Sequence, residues 1–77
     1  MAATNEEWAK RANRFMKAEL KRAGVTYEEL AKRLSEIGVD ETIGSVTVKI
    51  NRGAYPAWWL FLVMKVIGRE NIRIEDL

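Results

Sequence analysis

Four times along the chain a residue that favours a helix start is answered by a glycine: Thr4 by Gly24, Thr26 by Gly38, Thr42 by Gly53 and Pro56 by Gly68. Threonine caps a first turn with its hydroxyl, proline fits the first helical position, and glycine commonly closes the last turn. Such punctuation confines the chain to short rods joined by tight connections. Two of the starts are reinforced. Glu7 lies three residues after Thr4 and Glu29 three after Thr26, the spacing at which a glutamate reaches back to the cap, and Val25 is placed to pack on Leu30 across the first turn.

Apolar residues between these marks keep helical spacing. Trp8, Ala12, Phe15, Met16, Leu20 and Ala23 form one stripe, while Lys10, Arg14, Lys17 and Lys21 fall on another face. Leu30, Ala31, Leu34 and Ile37 make the buried side of the second segment. The third, DETIGSVTVKINRG, satisfies two templates. Val46, Val48 and Ile50 alternate and are β-branched, as in a strand. Ile43, Val46, Thr47 and Ile50 also keep the i, i+3, i+4, i+7 spacing of a helix capped by Asp40 or Thr42. The residues alone leave that choice open. The fourth, AWWLFLVMKVI after Pro56, is long for a buried strand and reads as a helix. The tail RENIRIEDL suits either an extended edge or a helical turn.

With 77 residues the chain is one domain near the size at which a single core suffices. It contains no cysteine and no histidine, so disulfides and the usual zinc sites are excluded, and association is the remaining way to reinforce a small core. Net charge is only +2, but it is unevenly spread. Between Lys10 and Arg33 eight Lys/Arg face three glutamates, a local charge of +5 that leaves −3 for the rest. A basic half suits a polyanion, although a solvated helix face explains such charges as well. The first residues have no apolar core of a targeting sequence, and the run at 57–67 is shorter than the ~20 residues a membrane span needs. A cytoplasmic, membrane-free protein is expected.

Nothing in the sequence assembles a catalytic centre. The acid pairs Glu28/Glu29 and Asp40/Glu41 stand at helix starts, where capping explains them. No nucleophile–base pair, phosphate loop or ligand cluster is present, so neither an enzyme nor a cofactor or metal is expected. Tyr27 and Tyr55 flank helix starts, where an aromatic normally packs.

The order of parts, LKRAGVTYEELAKRL, then VKINRG, then an apolar helix ending VIG, resembles the lambda-repressor-like (Cro/Xre-type) helix-turn-helix family. More narrowly, GVTYEELAKRL, IGVDET and SVTVKINRGAY are similar to a family of small bacterial proteins of uncharacterised function. The resemblance implies an all-α, compact four- or five-helix domain in which residues 41–52 are the recognition helix. It departs from the family in the turn. The stretch SEIGVDE lengthens a connection that ordinarily has ~3–4 residues. Counted back from Gly53, the family's base-contacting positions fall on Gly44, Ser45 and Lys49.

On that reading Ile43, Val46, Thr47 and Ile50 face inward, and Thr42, Ser45, Lys49 and Arg52 form the outward DNA-binding stripe, suited to bases and phosphates. Lys17 and Lys21, with Lys10 and Arg14, serve as backbone clamps. In the fourth segment Ala57, Leu60, Phe61, Met64 and Ile67 share one face and are expected to fill the core. Trp59, Leu62, Val63 and Val66, flanked by Trp58, then form a second apolar surface, and Trp58, Trp59, Leu62 and Val66 are the expected contacts of a homodimer. The expected function is a transcriptional regulator that reads duplex DNA. The alternative is an interaction module, antitoxin-like or inhibitor-like, that binds a protein through its tryptophan-rich face.

Overall fold

In a computed structural model, which describes residues 4–77, the chain forms α1 (Asn5–Ala23), α2 (Tyr27–Glu36), α3 (Ile43–Arg52), α4 (Ala57–Val66) and a closing 3-10 turn, η1 (Ile74–Asp76). No strand occurs among the described residues, and no helix there is long and apolar enough to cross a membrane.

The caps lie where the sequence puts them, with different wiring. The Thr4 hydroxyl accepts from the Glu7 amide at 3.2 Å and that of Thr26 from the Glu29 amide at 3.1 Å. Glu29 does not reach back. Its carboxylate accepts from Arg33 one turn on, at 3.0 Å, because an i, i+4 charge pair within the helix is available to it. The full reciprocal cap belongs to α3. The Ser45 amide donates to the Thr42 hydroxyl at 3.0 Å, and the Thr42 amide donates to the Ser45 hydroxyl at 2.9 Å. That closed ring settles the third segment as a helix despite its β-branched residues. Burial of one side of the segment outweighs their local preference for strand.

α3 is central. It packs against both α1 and α2, and α2 also packs against α4. The core gathers Met16 and Leu20 from α1, Leu30, Ala31 and Leu34 from α2, Val46 and Ile50 from α3, and Trp59, Val63 and Met64 from α4. The connection between α2 and α3, residues 37–42, is the lengthened one, and Ile37, expected inside, is exposed on it. Ile43 likewise stands half out of the core, on the first turn of α3.

The principal correction concerns α4. Its buried line is Trp59, Val63 and Ile67, with Met64 beside it, and Phe61 is turned out to solvent. The expected phase is off by roughly one residue. A ten-residue helix made almost wholly of apolar residues gives a helical wheel no polar side by which to orient it. Trp59 is therefore core, fully buried and tilted against Tyr55 with ring centroids 5.2 Å apart.

Gly53 fixes the approach of α3 to α1. Its φ is +60°, and a Cβ built there would overlap the Ala9 carbonyl of α1. Only glycine lets the two backbones meet so closely. Beside this contact the Asn13 side-chain amide donates to the Asn51 carbonyl at 3.4 Å, so the last turn of α3 is seated on the second and third turns of α1.

Candidate functional site

The polar residues of α3 divide into two groups, and Glu41 divides them. This carboxylate precedes α3, and its side chain is only 2% exposed. A buried carboxylate without partners costs several kcal/mol, so the fold supplies donors from two elements. Lys49 donates to both oxygens, at 2.5 and 2.6 Å, the Ser45 hydroxyl donates at 2.9 Å, and the Trp59 indole N–H donates at 3.3 Å. Lys49 Nζ also lies 5.5 Å from the centre of the Trp59 ring, within cation–π range. Burial pushes the Glu41 carboxyl up. The hydrogen bonds from Lys49, Ser45 and Trp59, with the lysine charge, outweigh it and hold the group below its ordinary value of 4.5.

Three of the four residues expected to face DNA are thus occupied. Thr42 is exposed but is the cap of its own helix. Ser45 is half-buried, holding both the cap and Glu41. Lys49 keeps 36% of its side chain exposed, with its ammonium turned onto Glu41. Arg52 alone stands as expected, exposed and in no ion pair among the described residues. The outermost line of α3 consists instead of Gly44, Val48 and Arg52, with Asn51 beside them. Thr47, at its edge, donates its hydroxyl to the Ile43 carbonyl at 2.6 Å. Val48 and Asn51 escaped notice because the apolar pattern set the inward side too near Ile43. A wheel centred on Val46 and Ile50 brings both to the outside.

The cationic stripe of α1 is exposed. Lys10, Arg14, Lys17 and Lys21 are all exposed along α1, and none is in an ion pair among the described residues. A second buried acid, Glu19, lies on the inward side of that helix. It accepts from Arg22 at 3.0 Å and from Arg69, beyond α4, at 2.6 Å, fastening the end of the chain to α1. Glu41 carries no sign of burial in the sequence pattern, whereas Glu19 stands three residues after Met16 and four after Phe15, on the apolar side of its helix.

Of the expected interface residues, Trp58 is 58% exposed, whereas Leu62 and Val66 are half-buried and Trp59 is inaccessible. The surface that α4 does present is Trp58, Phe61 and Lys65, with Leu62 at its margin.

The molecule is therefore a small all-helical domain with a cationic outer helix and an exposed aromatic pair. Residues 8–72 match the family described as DUF6471, a domain of unknown function, and the chain belongs to that family. No curated protein and no solved structure matches it.

Proposed function

We propose that this domain binds duplex DNA, in the manner of the helix-turn-helix proteins its sequence resembles, and acts as a regulator of transcription. The outward side of α3 is the reading surface and the α1 cations hold the phosphate backbone. The reading rests above all on one observation. The last turn of α3, carrying Asn51 and Arg52, is seated on the turns of α1 that carry Lys10 and Arg14, through Gly53 against Ala9 and Asn13 against Asn51. The turns that carry the proposed reader and the proposed clamp are thereby neighbours.

The residue types suit the task. Arginine pairs with guanine or phosphate, asparagine with adenine, and an exposed valine with a thymine methyl. Gly44 adds no bulk on the outer line, so the first turn can approach a groove wall closely. In this reading Ser45 and Lys49 have a supporting part through Glu41, and Thr42 one as the cap of the first turn.

Binding to random-sequence duplex at two salt concentrations tests the proposal. Contacts to about four phosphates give a log–log salt slope near −3.6, and Lys17→Gln with Lys21→Gln lowers it by about two. Absence of binding even at low salt refutes the reading and leaves a protein partner as the function of the domain.

A further inference from the structure

We propose that α4 is a self-association face, on which two copies of this chain pack antiparallel about a twofold axis between Phe61 and Leu62. Trp58 of each copy then seats beside Lys65 of the other. The inference does not rest on the DNA reading, since it concerns a different helix.

Three observations carry it. Trp58 and Phe61 are 58% and 62% exposed, large aromatic surface for one ten-residue helix. Together with Leu62 and Lys65 they stand at i, i+3, i+4 and i+7, the spacing of a helix seam, on the side of α4 away from Trp59 and Val63. Second, that seam is its own complement. Trp58 and Lys65 are equally far, ~5 Å along the axis, from the midpoint between Phe61 and Leu62. A twofold contact demands that residue i meet j while j meets i. Antiparallel packing about this midpoint satisfies the demand with an indole opposite an ammonium, a favourable cation–π pair. Lys65 is free for it, being exposed and in no ion pair among the described residues. Third, a cleft of about 500 Å³ opens at the Lys65 end of the seam, between Phe61, Gly68, Glu70 and Ile72. Phe61, Met64 and Ile72 give it apolar walls for an incoming indole, and Glu70 is among the polar residues that line it.

The seam is short. It covers less than the ~800 Å² per partner of a standard stable interface, so the dimer dissociates on dilution. Its register distinguishes it from a general apolar patch.

Two experiments on the full chain test this. In sedimentation equilibrium the mass rises from 8.9 kDa toward twice that value as concentration increases. Trp58→Ala and Lys65→Glu each move the midpoint at least about tenfold higher, while circular dichroism shows both variants folded. Because the chain has no cysteine, register can be read by oxidation. Trp58→Cys mixed with Lys65→Cys forms the crossed disulfide faster than either forms a disulfide with itself. A monomer at every concentration up to ~1 mM would overturn the proposal and assign the face to some other protein. So would association that ignores Trp58→Ala, or preferential linkage of position 58 to position 58.

Discussion

The two ends of α3 contain similar residue types and use them in opposite ways. At the first turns Thr42, Ser45 and Lys49 are directed to Glu41 and to the helix cap. At the last turn the backbone is tied to α1, while the side chains of Asn51 and Arg52 are exposed. Spacing alone places Lys49 and Arg52 in the same outward stripe. Spacing does not convey that a buried carboxylate stands within reach of one of them. Leaving that carboxylate unpaired costs more than a solvated lysine gains, so the lysine is claimed. Polarity at an outward position is availability only where no buried partner competes for it.

The strongest way to break the contrast is to unseat the last turn. Gly53→Ala places a methyl on the Ala9 carbonyl at a positive φ, and it is expected to lower stability by ~3 kcal/mol or more. Gly44→Ala is the control. A Cβ on that helical glycine would meet only the Thr42 hydroxyl oxygen, at an ordinary contact distance of 3.7 Å, so alanine there raises stability by up to ~1 kcal/mol. Urea midpoints of the two variants measure both; equal midpoints would mean that α3 is not held against α1 at this point.

Lys49→Ala comes next. Removing one partner of a buried pair ordinarily costs ~3–5 kcal/mol. Lys49 is partly open to water, and Ser45 and Trp59 continue to serve Glu41, which reduces the loss to roughly 1–2 kcal/mol. Duplex affinity of the remaining folded protein should be nearly unchanged. A large loss of affinity without loss of stability would return Lys49 to the reading surface.

Much of this fold was legible in advance, and the limits have a physical origin. α1 and α2 alternate apolar and charged residues, so caps, glycines and wheel agree, and Met16, Leu20, Leu30 and Leu34 lie inside as expected. α4 has one charged residue in ten, and the same method misplaced Trp59 and Phe61. The strand-or-helix ambiguity of α3 was real at the level of residues, and its resolution lies in a reciprocal serine–threonine cap. Of the candidate surface, the exposure of the α1 stripe and of Arg52 was readable. Glu41 was not, because its burial depends on α4 arriving with the Trp59 indole, a long-range fact.

Acid provides a smaller test of the first turn. The folded-state value of Glu41 is lowered relative to the unfolded chain, so as pH falls below about 4.5 the unfolded state takes up protons before the folded one does. Stability from this group is complete above the unfolded value and is lost as pH falls through the folded one. Thermal melts from pH 7 to 3 should therefore show wild type losing more stability than Glu41→Gln over the acid end of the range. Parallel curves would show that the Lys49 pair does not favour the ionised form.

Arg52→Ala has the smallest expected effect on the fold and the most specific one on function. Its side chain is exposed and in no ion pair among the described residues, so stability should stay within ~0.5 kcal/mol of wild type. Duplex binding has two possible signatures. If Arg52 contacts phosphate, affinity falls on all sequences and the salt slope drops by about one. If it reads a guanine, the loss is ~1–3 kcal/mol on a selected site and small elsewhere. Selection from a random duplex pool, followed by titration of both proteins on the selected and an unrelated site, separates these outcomes. Unchanged binding on both sites would remove Arg52 from the DNA contact and, with it, the main support for a functional contrast between the two ends of α3.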